Sequence, residues 1–159
     1  LVNCFARYRR GEGYPYGLGP DQATELVEAT VDPSRPRPVD TAALVAPSLA
    51  AEPEFRGWWN QIGRRGGAPA VARVVRHVAI TSDLRDRLSA VTCPTLVLYR
   101  RQCLNLDPGH SRYLAETLVG ARSVALDGVD SVWFTDPAPL IEAIADFLRS
   151  ATRPGGPAG

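Results

Sequence analysis

Methionine is absent from the sequence, histidine occurs only twice and cysteine three times, and the formal net charge is only +1. Each shortage excludes something. Cys4, Cys93 and Cys103 are odd in number and far apart, so a disulfide framework or metal-finger spacing is excluded and a reducing cytoplasm is expected. A near-neutral chain carries no broad electrostatic footprint for a polyanion, and nucleic acid is not an expected partner. No apolar run approaches the ~20 residues that a membrane span needs, and no signal-peptide pattern opens the chain. No serine is flanked as Gly-x-Ser-x-Gly, so the tight strand-to-helix turn that exposes a nucleophilic serine has no place here. A translated chain needs an initiator, and this one begins with Leu1. The sequence is therefore expected to be a processed or truncated part of something longer.

What is present suits one ordinary α/β domain: 159 residues, of which 45% are hydrophobic and 22% charged, enough to bury a real core. The stretch from Pro94 to Leu148 organises the rest. Thr95 to Tyr99 is apolar and β-rich, and the polar Arg100-Arg101-Gln102 ends it, as for a strand buried on both faces of a parallel sheet. A helix pattern follows at His110 to Leu118, a short strand at Ser123 to Leu126, and an amphipathic helix from Asp136 to Leu148. That β-α-β-α series predicts a parallel sheet covered by helices.

Pro94-Thr-Leu-Val-Leu98, then Gly109-His-Ser-Arg-Tyr-Leu-Ala-Glu116, Gly120-Ala-Arg122 and Leu126-Asp-Gly128 together resemble the last two strands and helices of an α/β-hydrolase. The similarity is greatest to actinobacterial hydrolase domains linked to nucleotide-cyclase or helix-turn-helix regulators. The resemblance implies a catalytic acid in a Gly-Asp pair after the first of these strands, where Gln102-Cys103 stands. It implies a general-base His in Gly-x-Asp-His after the second, where the run is Gly128-Val129-Asp130-Ser131. Cys103 thus occupies the acid position and Ser131 the base position, with Asp107 and Asp130 nearby as substitute acids.

Upstream, Leu1 to Ala6 reads as a buried strand with no preceding neighbour, so its sheet partners are expected from an upstream half or a partner chain. Residues 1–8 are expected to form this core strand and its exit loop, and the resemblance implies that 9–90 are a helical cap over the active site. Arg7 to Pro20 is glycine-rich turn sequence, followed within the cap by helix patterns at Asp21 to Val31, with Asp21 as the N-cap, and at Asp40 to Leu49, Glu52 to Ile62 and Ala70 to Ile80. The last carries Val71, Val74, Val75 and Val78 on one broad apolar face. Proline-rich Val31 to Val39 and glycine-rich Gly63 to Pro69 break the helical pattern. Residues 91–150 form the C-terminal part of the hydrolase core, and 151–159 a disordered tail.

Each chemically suggestive group has a plain structural reading beside it. Trp58 and Trp59, with Tyr16, are candidates to line an apolar ligand pocket under the cap, although a Trp pair on a short helix is more often simply core. Arg7, Arg9 and Arg10 with Tyr8 make a local basic cluster at a strand end. Gly63-Arg64-Arg65-Gly66-Gly67 has the composition of an anion-binding loop and lacks the strand and Lys-Ser/Thr ending of a phosphate loop. His77, among valines, reads as a structural histidine. His110, near a helix N-terminus where the protonated form is disfavoured, is poorly placed as a general acid. A nucleophilic Cys103 needs an imidazole or helix N-terminus to stabilise its thiolate, and Ser131 supplies neither.

With nucleophile, acid and base all unmatched, the sequence points to a catalytically degenerate hydrolase-fold module, a ligand-sensing or regulatory part of a larger cytoplasmic protein. Its partner would be a small apolar ligand or ester, and no cofactor or metal is called for. Two alternatives stand beside it: an esterase or lipase-like hydrolase whose nucleophile lies upstream, and a gene remnant without function.

Overall fold

The computed structural model describes residues 1–31, 40–65 and 69–151. At its centre is β1 (Leu96–Arg100), every residue of which is buried. It pairs in parallel with β2 (Arg122–Leu126), from Leu96 opposite Arg122 to Arg100 opposite Leu126. Along its other edge, Val2 forms a parallel bridge with Leu98. The Leu1 ammonium donates to the Leu96 carbonyl at 2.7 Å, and Leu98 N–H and Asn3 N–H donate to the Leu1 and Leu98 carbonyls at 2.8 and 3.1 Å. The expected strand over Leu1 to Ala6 is thus confined to its first residues. Asn3 has φ 45°, a left-handed conformation that asparagine tolerates better than most residues, and it turns the chain out of the ladder.

Because β1 is a strand, its side chains alternate between two layers. Val97 and Tyr99 pack with Ala6, Leu88, Leu114 and Leu118. Leu96 and Leu98 pack with Leu140, joined by Val2, Val124, Ala143 and Phe147. The first layer belongs to α5 (Pro108–Thr117) and the second to α6 (Ala138–Ala151). The helix α5 begins earlier than its periodicity suggests, because Asp107 caps it with Pro108 in the first turn, a pairing that satisfies an orphan N–H and pre-sets φ. The helix α6 begins two residues later than expected, with Asp136 Oδ1 accepting from Ala138 N–H at 3.0 Å. Arg100, expected to end the strand, is its last residue and only 7% exposed.

Between Asn3 and β1 lie α1 (Pro20–Val31), α2 (Thr41–Val45), α3 (Pro53–Arg65), α4 (Pro69–Thr81) and a 3₁₀ turn at Arg85–Ala90. Asp21 falls within the first turn of α1, which Pro20 opens. Asp40 instead provides a true cap for α2, accepting from Ala42 and Ala43 N–H. It also pairs bidentately with Arg56 of α3 at 2.7 and 2.6 Å, which holds the Asp40 carboxyl down at about 2. The helix α3 runs through Gly63 to Arg65, so the expected break does not begin at that glycine. The helix α4 packs against α1, and its valines 71, 74, 75 and 78 are exposed while Ile80 is buried. The proline-rich segment 32–39, residues 66–68 and the tail beyond Ala151 lie outside the described residues. Among those described, no helix is long and apolar enough to cross a membrane.

Candidate functional site

Parallel strands deliver their following loops to one edge of the sheet, and in open α/β sheets that carboxyl edge is where ligands bind. Three segments meet there: Asn3 to Tyr8 after the Val2 bridge, Arg101 to Asp107 after β1, and Asp127 to Thr135 after β2. Leu104 N–H donates to the Val129 carbonyl at 3.4 Å, and Gly128 N–H donates to Gln102 Oε1 at 2.9 Å, so the last two loops are tied together. Cys103 and Ser131 therefore stand on touching loops.

Cys103 is buried, and its sulfur accepts a long hydrogen bond from the Asn3 side-chain amide at 4.0 Å. Ser131 is 3% exposed; its N–H donates to the Val45 carbonyl at 2.6 Å, and its Oγ has no partner among the described residues. Asp130, equally buried, spends one carboxylate oxygen on Ser48 N–H at 2.9 Å and the other on Ser48 Oγ at 2.5 Å. Asp130 and Ser131 thus fasten the loop after β2 to the segment that ends α2. Asp107 Oδ1 accepts from Gly109 N–H at 2.7 Å as the cap of α5.

The expected pocket residues fall into two groups. Trp59 stacks with Phe55, Trp58 meets it at a tilt, and all three reach Phe134 of the loop after β2, at ring separations of 5.8 to 6.3 Å. Trp59 donates its indole N–H to Thr41 Oγ1 at 3.1 Å, while Trp58 is 45% exposed. Tyr16 stands in another cluster, 5.2 Å from the Tyr14 ring and 5.9 Å from the His110 ring. Arg7 pairs with Asp83 at 3.5 Å and Arg10 donates to the Gly17 carbonyl at 3.1 Å, so both are engaged within the fold. His77 is exposed on α4, and Arg64 and Arg65 are helical rather than part of a loop.

The polar core of the site is a pair that sequence reading missed. The Tyr14 hydroxyl lies 2.6 Å from His110 Nδ1, and both residues are almost wholly enclosed. Burial lowers the His110 pKa, with the Asp107 carboxylate pulling weakly the other way. Burial likewise raises the Tyr14 phenol. Next to His110 an open depression of about 180 Å³ is bordered by Tyr8, Leu18 and the loop after β1. Tyr14 sits in a glycine-rich loop with no periodicity to mark it as core. Ser48 and Asn3 carried no signal either, since their partners are 82 and 100 residues away in sequence. No group of three or more His, Cys, Asp or Glu able to hold a metal occurs among the described residues.

A parallel sheet with β1 enclosed between helices, loops converging at its carboxyl edge, and a helical segment docked on those loops define a partial α/β-hydrolase fold. Solved structures share it. A hydrolase from Pseudomonas aeruginosa superposes with a TM-score of 0.71 over 93% of this chain and 54% of its own, at 24% identity. A hydrolase from Oleispira antarctica gives a TM-score of 0.73 over 92% and 54%, at 19% identity. In sequence, the protein named "Putative carbamate hydrolase RutD" of Pseudomonas savastanoi pv. phaseolicola is 34% identical over 77 residues, 48% of this chain and 30% of that protein. No family model matches the chain. The chain spans about half the length of these structures and 30% of that relative.

Proposed function

We propose that this chain is a catalytically degenerate α/β-hydrolase-fold module that senses a small ligand as a regulatory part of a larger cytoplasmic protein. The observation that supports it most is the commitment of Asp130: both carboxylate oxygens are held by Ser48, and the neighbouring base position is Ser131. In an acyl-transfer cycle a histidine must take the nucleophile's proton and return it to the leaving group. Of the two histidines, His77 is on the exposed side of α4, and His110 has its Nδ1 engaged by Tyr14. Asp107, the other substitute acid, is a helix cap. What remains at the sheet edge is a scaffold for binding.

Helices α1 to α4 would serve as its cap, with Trp58, Trp59 and Tyr16 as candidate ligand contacts. The outer edge of Leu1 to Asn3 would accept further strands, from an upstream half or a partner chain, and an attached cyclase or DNA-binding domain would be the output. Two assays test the proposal together. The chain should hydrolyse short p-nitrophenyl esters no faster than buffer does, and at least one apolar ligand in a broad panel should raise its Tm by mass action. A rate abolished by a serine-directed phosphonate would establish the esterase reading instead. A panel with no shift at all would leave the remnant reading.

A further inference from the structure

Arg100 ends β1 as a buried cation without a counter-charge. It is 7% exposed, and alternation along the strand puts its side chain on the α6 side, with Leu96 and Leu98. Its Nη1 donates to the Asp127 carbonyl at 2.5 Å, the one hydrogen bond its guanidinium makes among the described residues. No carboxylate there stands within ion-pair distance of it, since the Asp127 side chain is 88% exposed and pairs with Arg101 at 3.2 Å. Gly128 lets the guanidinium lie this close to the loop after β2. An added Cβ would sit 2.7 Å from Nη1, and the Gly128 N–H is itself held by Gln102 Oε1.

A guanidinium cannot shed its proton to suit an enclosed position, as lysine or histidine can. Burial is therefore costly unless an anion pairs with the charge and its donors are used. The unused donors have a definite geometry. Nε is enclosed and without a partner among the described residues. Nη2 has no partner among them either, and it is not enclosed. Nε–H and Nη2–H point the same way from the planar group and form the fork that grips both oxygens of a carboxylate. Charge narrows the choice further. Arg101 and Asp127 cancel, so one positive charge remains, which a monoanion balances and a phosphate dianion would exceed.

We propose that the Nε–Nη2 side of Arg100 binds a small free monocarboxylate at the carboxyl end of β1, on the α6 side of the sheet. The site goes beyond the ligand-sensing reading and stands without it, because Trp58, Trp59 and Tyr16 take no part.

Acetate is the probe, with acetamide as the neutral comparison and chloride as the control for ionic strength, added to the full chain labelled with ¹⁵N at arginine. The Arg100 Nε–H resonance, identified by its loss in Arg100→Met, should shift saturably with acetate and not with acetamide or chloride. Acetate should also raise the Tm of the wild type by mass action and leave that of Arg100→Met unchanged. Arg100→Lys keeps the charge and loses the fork, and should weaken acetate binding about tenfold, the worth of one charge-assisted hydrogen bond. Without acetate, Arg100→Met should melt no lower than the wild type, since it removes an unpaired buried charge and the exposed Asp127 can bond water. A resonance that acetate leaves in place, or that chloride moves equally, would overturn the proposal. So would an Arg100→Met chain that melts well below the wild type in the absence of any carboxylate. A resonance that shifts with rising chain concentration alone, with a dimer in sedimentation velocity, would put the carboxylate on a second copy and overturn the free-ligand assignment.

Discussion

Replacing Tyr14 by Phe removes one oxygen from the interior and little else. The ring keeps its contacts, at centroid distances of 4.8 Å to Tyr113, 5.2 Å to Tyr16 and 5.4 Å to His110, so no cavity larger than a hydroxyl opens. What is lost is a 2.6 Å hydrogen bond between residues that are 0% and 1% exposed. The bond itself is worth roughly 1 kcal/mol net, and the enclosed Nδ1 left without a donor adds a desolvation penalty of similar size or larger, giving about 2 kcal/mol in all. For a chain of this length that corresponds to a fall in Tm of about 4 to 8 °C. Urea unfolding of wild type and variant, with m unchanged, measures the difference directly. The imidazole proton of the variant should no longer be confined to Nε2, which ¹⁵N chemical shifts report. A loss below about 0.5 kcal/mol, within the range of an ordinary surface substitution, would refute the view that this pair is an enclosed, mutually dependent contact.

Two further outcomes follow from the same geometry. The folded His110 pKa lies below its ordinary 6.5, so between those values the unfolded chain binds a proton that the folded chain refuses. Its contribution to stability is complete above about pH 6.5 and lost as pH falls toward the folded value. Denaturation midpoints measured from pH 8 to 5 should show that decline, and His110→Gln should remove the part due to this residue. Gly128→Ala should destabilise the chain by about 1 to 3 kcal/mol, because φ there is 120° and a Cβ would lie 2.7 Å from Arg100 Nη1; a calorimetric scan with unaltered Tm would contradict this.

Legibility in the sequence followed the range of the interactions. The parallel pair β1 and β2, with α5 and α6, was readable because burial of a strand on both faces leaves a continuous apolar run, and a half-buried helix leaves a 3.6-residue period. Boundaries moved too: the Asp107 cap and Pro108 begin α5 ahead of His110, and α3 continues past Gly63 to Arg65. The candidate site was legible as positions and not as relations. Cys103 and Ser131 could be placed on loops after successive strands, whereas the holding of Asp130 by Ser48 joins segments 82 residues apart. No local pattern records such a partner.

The sequence by itself determined the α/β class, the parallel order of the last two strands, and the placing of Cys103 and Ser131 on the loops that follow them. These are properties of residue type and spacing, carried by the chain whatever its conformation. The tertiary structure alone decided that Asp130 is consumed in fastening the α2 segment, that Tyr14 of a featureless glycine-rich loop meets His110 96 residues away, and that an open depression remains next to His110. Those depend on which groups burial brings together and leaves without water. An enclosed donor or acceptor must then find its partner in space, however far apart the two lie along the chain.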